Sequence, residues 1–434
     1  MWLTALLASA AGIAPSGPSS FTLDNGLRVY LDPLPGRATV GLVVGYPAGA
    51  SAGPPGRHGL AHLVEHLVFR RAGRFGEFAG TTHVIRTGGI FNGVTATART
   101  WYQADLLPEA LDRALVFERE RMAFSKDAIT EEDLRRERAV VQRELELREG
   151  YGRRAARAIL RTHLPPGSSW VGTEHERAEV GRHTLAEVRW FLERHYRPDL
   201  AVVAISGGFD GDALRRRVVE LFGALSVPSD PPPDYAPPPP RRRLAGLRAK
   251  TRAKSGYARR IWLLPAFVDA GERAVLEVLL ERVAGRVRRR SAEVSRRSDA
   301  SVGRNGPLLD VRLEVQSFAS KPIEPAHVVF DEVLGELRDD PRSLVEATLE
   351  FAKLEAELRL RRRATTPIER AGLAMHALLD GESPGVEARV AEVQAVDVER
   401  ATAMLARVLE QPAAFMVRET HDGDARIEEV ALDD

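Results

Sequence analysis

Eight of the thirteen residues from Pro228 to Pro240 are proline, so no helix or central strand can run through them. Such a run favours the extended polyproline II form and acts as a stiff spacer. It falls near the middle of a 434-residue chain, which is too long for one compact core. The sequence therefore reads as two domains of similar length, 21–227 and 242–434, joined by a linker at 228–241. Composition is ordinary for a globular protein, and 62 basic against 61 acidic residues leave a formal charge of +1. That balance argues against a chain whose main task is to hold nucleic acid. There is no cysteine, so disulfides and thiolate metal sites are excluded and any metal must be held by His, Asp or Glu.

Residues 1–14 are apolar and Ala8-Ser9-Ala10 offers a small-x-small cleavage site, so 1–20 reads as a signal peptide and spacer. This implies export, to the periplasm or otherwise out of the cytoplasm; the alternative is a frayed start on a cytoplasmic protein. No apolar stretch is long enough for a transmembrane helix.

Period-2 alternation places strands at 21–32 and 39–46, and 88–107 is strand-rich. Helical periodicity covers 57–71, 111–124, 131–148 and 183–195, and 200–206 reads as a buried strand. After the linker come a strand at 258–265, a helix at 270–288, a strand at 308–316 and helices at 325–338 and 342–363. This order resembles a degenerate copy of the first half without its metal-ligand spacing. The expected fold class is α+β, two similar α/β-sandwich domains forming a pseudo-repeat.

Within the first helix, His62-Leu63-Val64-Glu65-His66 sets two histidines four residues apart, on one helical face. Two neutral imidazoles suit Zn²⁺, and the adjacent Glu65 carboxylate can take a proton from zinc-bound water. A catalytic zinc needs a third protein ligand. Glu137 and Glu144 lie seven apart, two helical turns, beside Ala139, Val140, Val141 and Leu145. Glu146 points elsewhere; with Glu132 and Glu149 it reads as solvated. His58 reads as a surface residue, and His83, His163, His175, His183 and His195 have no partner at ligand spacing.

These stretches resemble the insulinase/pitrilysin metallopeptidases in their short two-domain form, like the mitochondrial processing peptidases. The likeness rests on Asp24 to Val29, on Gly59 to Phe69, on Gly88 to Thr95 and on Phe191 to Asp199, in that order. Glu144 follows His66 by 78 residues, as the family's second glutamate pair does. The resemblance implies that His62, His66 and Glu144 bind one zinc, that Glu65 is the general base and that Glu137 supports the site. It also implies that Asn92 and Gly93 lie on an edge strand pairing with extended peptide, and that the chain forms half of a clamshell.

The family's second domain normally adds an arginine and a tyrosine seven residues apart. Here the last tyrosine is Tyr257, so that pair is absent. The expected consequence is a heterodimer whose sister subunit supplies the pair, with a homodimer or a non-catalytic assembly subunit as alternatives. The arginines at 286–290 with Arg296 and Arg297 read as a solvated helix face or a contact for an acidic partner, in preference to a nucleic-acid site.

Overall fold

The computed structural model describes residues 17–71, 73–148, 151–165, 168–171, 173, 175–235, 245–251, 255–319, 321–420 and 426–431. Most of the expected signal peptide and the 236–241 end of the linker lie outside these residues.

The chain opens with β1 (Ser19–Thr22), β2 (Arg28–Pro33) and β3 (Val40–Tyr46), followed by α1 (Leu60–Arg70) and α2 (Ala79–Arg86). A hairpin of β4 (Ile90–Thr95) and β5 (Thr100–Leu106) leads into α3 (Pro108–Ala128), α4 (Glu131–Arg148) and α5 (Tyr151–His163). Then come α6 (Glu176–Val180), α7 (Leu185–His195), β6 (Val202–Gly207) and α8 (Gly211–Phe222). Beyond the proline-rich segment lie β7 (Ala245–Thr251), β8 (Tyr257–Pro265), α9 (Ala270–Arg290), β9 (Ser295–Asn305) and β10 (Leu308–Ser317). The chain ends with α10 (Glu324–Asp339), α11 (Pro341–Arg362), α12 (Pro367–Leu379), α13 (Val386–Ala395), α14 (Val398–Leu409), β11 (Ala414–Thr420) and β12 (Arg426–Ala431).

The strands form two six-stranded sheets, ordered β1-β2-β6-β3-β5-β4 and β12-β7-β11-β8-β10-β9. Their pairing is the same strand for strand: β2 runs parallel to β6 as β7 does to β11, and the remaining pairs are antiparallel. The expected pseudo-repeat in a mixed α/β fold is therefore present. One difference is that the outermost strand beside β2 comes from the start of the chain, whereas β12, beside β7, comes from its end.

Every residue of β3 is buried, because both faces of the first sheet are covered. One face carries α1, α3 and α7 of the same half. The other carries α12, whose Ala371, Ala374 and Met375 pack on Tyr30, Val43, Val202 and Ala204. In return, Ala155 and Ala158 of α5 cover Leu247, Ala249 and Met416 of the second sheet. Each half thus lends a helix to the other's sheet. The approach of α12 is close: a Cβ on Gly41 would strike the backbone of Ile368, and one on Gly45 would strike Met375. The buried Asp32 carboxylate anchors the same helix by accepting from Arg370 Nε at 2.6 Å.

Several elements escape the sequence pattern. The expected helix at 57–71 starts at Leu60, and His58 therefore lies in the preceding turn. Arg296 and Arg297 lie on β9, where a helix face had been expected. This edge strand buries Ser295, Ala300 and Val302, too few to announce a strand. Helices α2, α5, α6, α8, α12, α13 and α14 were not expected; α5 and α12 bury small alanines against the opposite half, a long-range contact without a local apolar signal.

The contact at Gly41 is testable. Gly41→Val should lower the free energy of unfolding by at least about 1–3 kcal/mol, because the added carbons overpack the α12 interface. Gly335→Ala, in α10 with open space around it, should be neutral or stabilising by about 0.5–1 kcal/mol. Urea titration of the two variants checks both.

Candidate metal centre

Gly59, in the left-handed region at φ 79°, turns the chain into α1. The helix buries Leu60, Leu63, Val64, Leu67 and Val68. That leaves His62 and His66 on the flank facing α4, their rings edge to face with centroids 4.9 Å apart. In α4, Leu134, Val141 and Leu145 face the core, and this register aims Glu137 and Glu144 at α1.

His62 Nε2 lies 3.8 Å from Glu144 Oε2, and His66 Nε2 lies 3.7 Å from Glu144 Oε1. Among the described residues these three side chains form the one group of metal-capable donors, with ligand atoms all within 4.8 Å of one another. Bond lengths of about 2.0–2.1 Å to a tetrahedral zinc imply donor separations of about 3.3 Å, so a small inward movement would close the shell. His66 Nδ1 donates to Glu137 Oε2 at 3.2 Å, and Arg70 Nε donates to Glu137 Oε1 at 2.7 Å. A carboxylate can only accept, so in the neutral ring the proton sits on Nδ1 and the Nε2 lone pair faces Glu144. Holding a ligand histidine in this way is the usual second layer of a zinc site. The donor set thus fits a divalent transition ion.

The charges follow from these contacts. Burial would raise the Glu137 carboxyl, but its bonds from His66 and Arg70 win and hold it below the usual carboxylate range. Burial would lower His66; the Glu137 bond and the nearby Glu144 and Glu65 outweigh it, so His66 lies above the usual histidine range. Burial pushes Glu65 up, opposed by the Thr95 bond and by His66.

Glu65 turns from α1 towards β4, where its Oε2 accepts from the Thr95 hydroxyl at 2.6 Å. A Cβ on Gly93 would lie 2.9 Å from Glu65 Oε1, so this position must stay small. Asn92 is exposed on the same strand, which is the open edge of the first sheet. A cavity of about 490 Å³ opens over the group and brings together all seven residues singled out in the sequence, His62, Glu65, His66, Asn92, Gly93, Glu137 and Glu144.

Sequence reasoning missed three features of this cavity. Thr95 carried no signal beyond β propensity. Arg148 sits one turn past Glu144 and reaches its Oε2 at 3.0 Å. Phe69 and Phe78 add apolar wall. His58 is not the surface residue expected: it is half-buried, with Nδ1 3.0 Å from Glu179 Oε2. His83, His163, His183 and His195 bond to carbonyls or to Tyr235 and stay outside the metal group.

Residues 32–161 match the family described as Insulinase (Peptidase family M16), and residues 182–296 match the Peptidase M16 inactive domain. The chain belongs to the insulinase family. Its curated relatives include an uncharacterised zinc protease of Mycobacterium leprae, 30% identical over 219 residues, covering 48% of this chain and 47% of that one. Another is a probable mitochondrial-processing peptidase subunit beta of Arabidopsis thaliana, 28% identical over 214 residues, covering 48% of this chain and 39% of that one. Each match thus spans about half the length, or less, of the curated relative. Among solved structures, pitrilysin superposes with a TM-score of 0.77 at 18% identity, over 98% of this chain and 48% of its own. At that identity the likeness speaks for the fold. This insulinase-family chain also has no helix, among the described residues, long and apolar enough to cross a membrane.

Two outcomes follow for metal binding. Glu137→Gln should weaken zinc binding about 10–100-fold in competition with a chelator. Because His66 must lose a proton to ligate and holds it more tightly than usual, zinc affinity should fall with falling pH from above the ordinary histidine range. Titration with zinc at a series of pH values checks the second.

Proposed function

We propose that this chain is a zinc-dependent endopeptidase that cleaves extended or unstructured peptides. The observation that carries the reading is the His62–His66–Glu144 donor group with the Glu65 carboxylate beside it, in one cavity next to an open strand edge. Zinc, when bound, would polarise the scissile carbonyl and make water more acidic. The chain's residues then have distinct tasks. Glu65 accepts the proton of the attacking water and returns it to the leaving amine; burial raises its basicity for that work. Thr95 fixes one Glu65 oxygen, and Gly93 leaves room for the other. The free edge of β4 offers backbone donors and acceptors to an added peptide strand, which favours unfolded segments over folded proteins.

In this reading 21–227 is the zinc-bearing domain, and 242–434 is a degenerate copy. The two make half of a clamshell, which a sister subunit, or a second copy of this chain, completes. The absence of any tyrosine after Tyr257 motivates the sister, which would bring the arginine–tyrosine pair. Export to the periplasm fits the apolar start. A second reading, a non-catalytic assembly subunit, draws on the same missing tyrosine and on the match of 182–296 to an inactive domain. The intact donor group speaks for catalysis.

The test is metal content and hydrolysis of a pool of unstructured peptides, by wild type and Glu65→Gln, each alone and with a co-encoded sister chain. The expected result is about one zinc per chain in both proteins. Hydrolysis should fall about 10²–10⁴-fold in Glu65→Gln. Zinc binding without hydrolysis under any pairing would favour the assembly subunit.

A further inference from the structure

The strand-for-strand likeness of the two sheets extends to the space beside their edges. In the first half the metal cavity lies between α1, the edge strand β4 and α4. In the second half a cavity of about 410 Å³ lies between α9, the edge strand β9 and α11, the equivalent three elements. The side chains differ in kind. Where the first cavity gathers histidines and glutamates, the second is lined by Arg282, Arg288, Arg289 and Arg359 against Glu281, Asp299 and Glu355.

These groups are not equally committed. Arg359 is held by Glu281 at 2.6 and 2.8 Å and by Glu355 at 2.9 Å. Arg282 lies over the ring of Phe351, 4.0 Å from its centroid, and that ring is 48% exposed. Arg288 and Arg289, in the last turn of α9, take no ion pair among the described residues. A guanidinium of Arg289 folds back over Gly285, where the absence of a side chain leaves it room. The arginine run that the sequence reads as a solvated helix face or a contact for an acidic partner is therefore partly gathered at one cavity, two of its members without an ion pair among the described residues.

We infer that the second-half cavity binds the side-chain carboxylate of an acidic peptide segment, with Arg288 and Arg289 as its donors and the Arg282–Phe351 stack as its wall. This rests on the peptidase reading and narrows its substrate class to peptides rich in glutamate or aspartate. The chemistry favours a carboxylate over a phosphate chain. Four arginines face three carboxylates, which leaves a net positive charge for one further side-chain carboxylate to neutralise. An arginine fork matches a carboxylate in two parallel hydrogen bonds, and an exposed ring packs on the methylenes of a glutamate. Aromatic rings interleaved with the arginines, as base stacking would require, are absent from the lining: Phe351 is its single aromatic residue.

The experiment reads binding and cleavage separately, on the full chain. Two labelled unstructured peptides are used, one with a run of glutamates and its twin with glutamines. Their affinities for the Glu65→Gln protein are measured by fluorescence anisotropy. The glutamate peptide should bind about tenfold more tightly or better. Arg288→Ala with Arg289→Ala should erase that preference and leave the glutamine twin unchanged. Arg182→Ala with Arg216→Ala, the same charge removed from exposed positions of the first half, should keep it. Equal binding of the twins overturns the inference, as does parallel weakening of both by the Arg288/Arg289 pair or loss of preference in the Arg182/Arg216 control. Wild-type cleavage is followed alongside. An arginine-dependent preference without zinc-dependent cleavage would keep this site and sink the peptidase reading; cleavage without the preference would do the reverse.

Discussion

Glu137 accepts at once from His66 Nδ1 and from Arg70 Nε, and much of the metal centre depends on that pair of bonds. Both donors lie on α1, one turn apart, while the acceptor lies on α4. The carboxylate therefore pins the two helices in one register and one rotation. With α1 fixed, His62 follows four residues before His66 on the same flank, and Glu65 is turned the other way, towards β4. With α4 fixed, Glu144 arrives two turns beyond Glu137, between the two imidazoles. Removing the bond from His66 would free the ring to turn its Nδ1 outward, and the donor group would lose its geometry before it lost any residue.

The rest of the fold holds these two helices against a sheet that cannot shift. The central strands β3 and β6 are covered on both sides, by α1 and its neighbours on one face and by α12 on the other. Gly41 and Gly45 let α12 approach the sheet closely, and Asp32 ties it there through Arg370. The second half thus supports the first without sharing a ligand with it, and α5 returns the support to the second sheet. This exchange ties the two halves together: α12 of the second is the back wall of the sheet beside which the donor group lies.

Legibility in the sequence followed the range of the interaction. The His62–His66 spacing, the seven-residue step from Glu137 to Glu144 and the apolar run of β3 are local, and all were readable. The proline-rich segment marked where the first sheet's sequence ends and the second's begins. What stayed hidden depends on partners far away in the chain. Thr95 and Gly93 take their meaning from Glu65, on an element that precedes them by about thirty residues. The helices α5 and α12 bury alanines that look unremarkable until the opposite sheet is present. The strand β9 is polar because it is an edge, and its arginines suggested a helix for that reason. His58 looked like a surface residue because its partner, Glu179, comes from α6, which no local pattern announces.

The central claim is that His62, His66 and Glu144 hold zinc together. Zinc X-ray absorption spectroscopy of the loaded protein tests it most directly. The account predicts two imidazole nitrogens and carboxylate or water oxygen at about 2.0–2.1 Å. It also predicts the loss of one imidazole in His62→Ala. A shell without imidazole scattering, or one unchanged by His62→Ala, would contradict it.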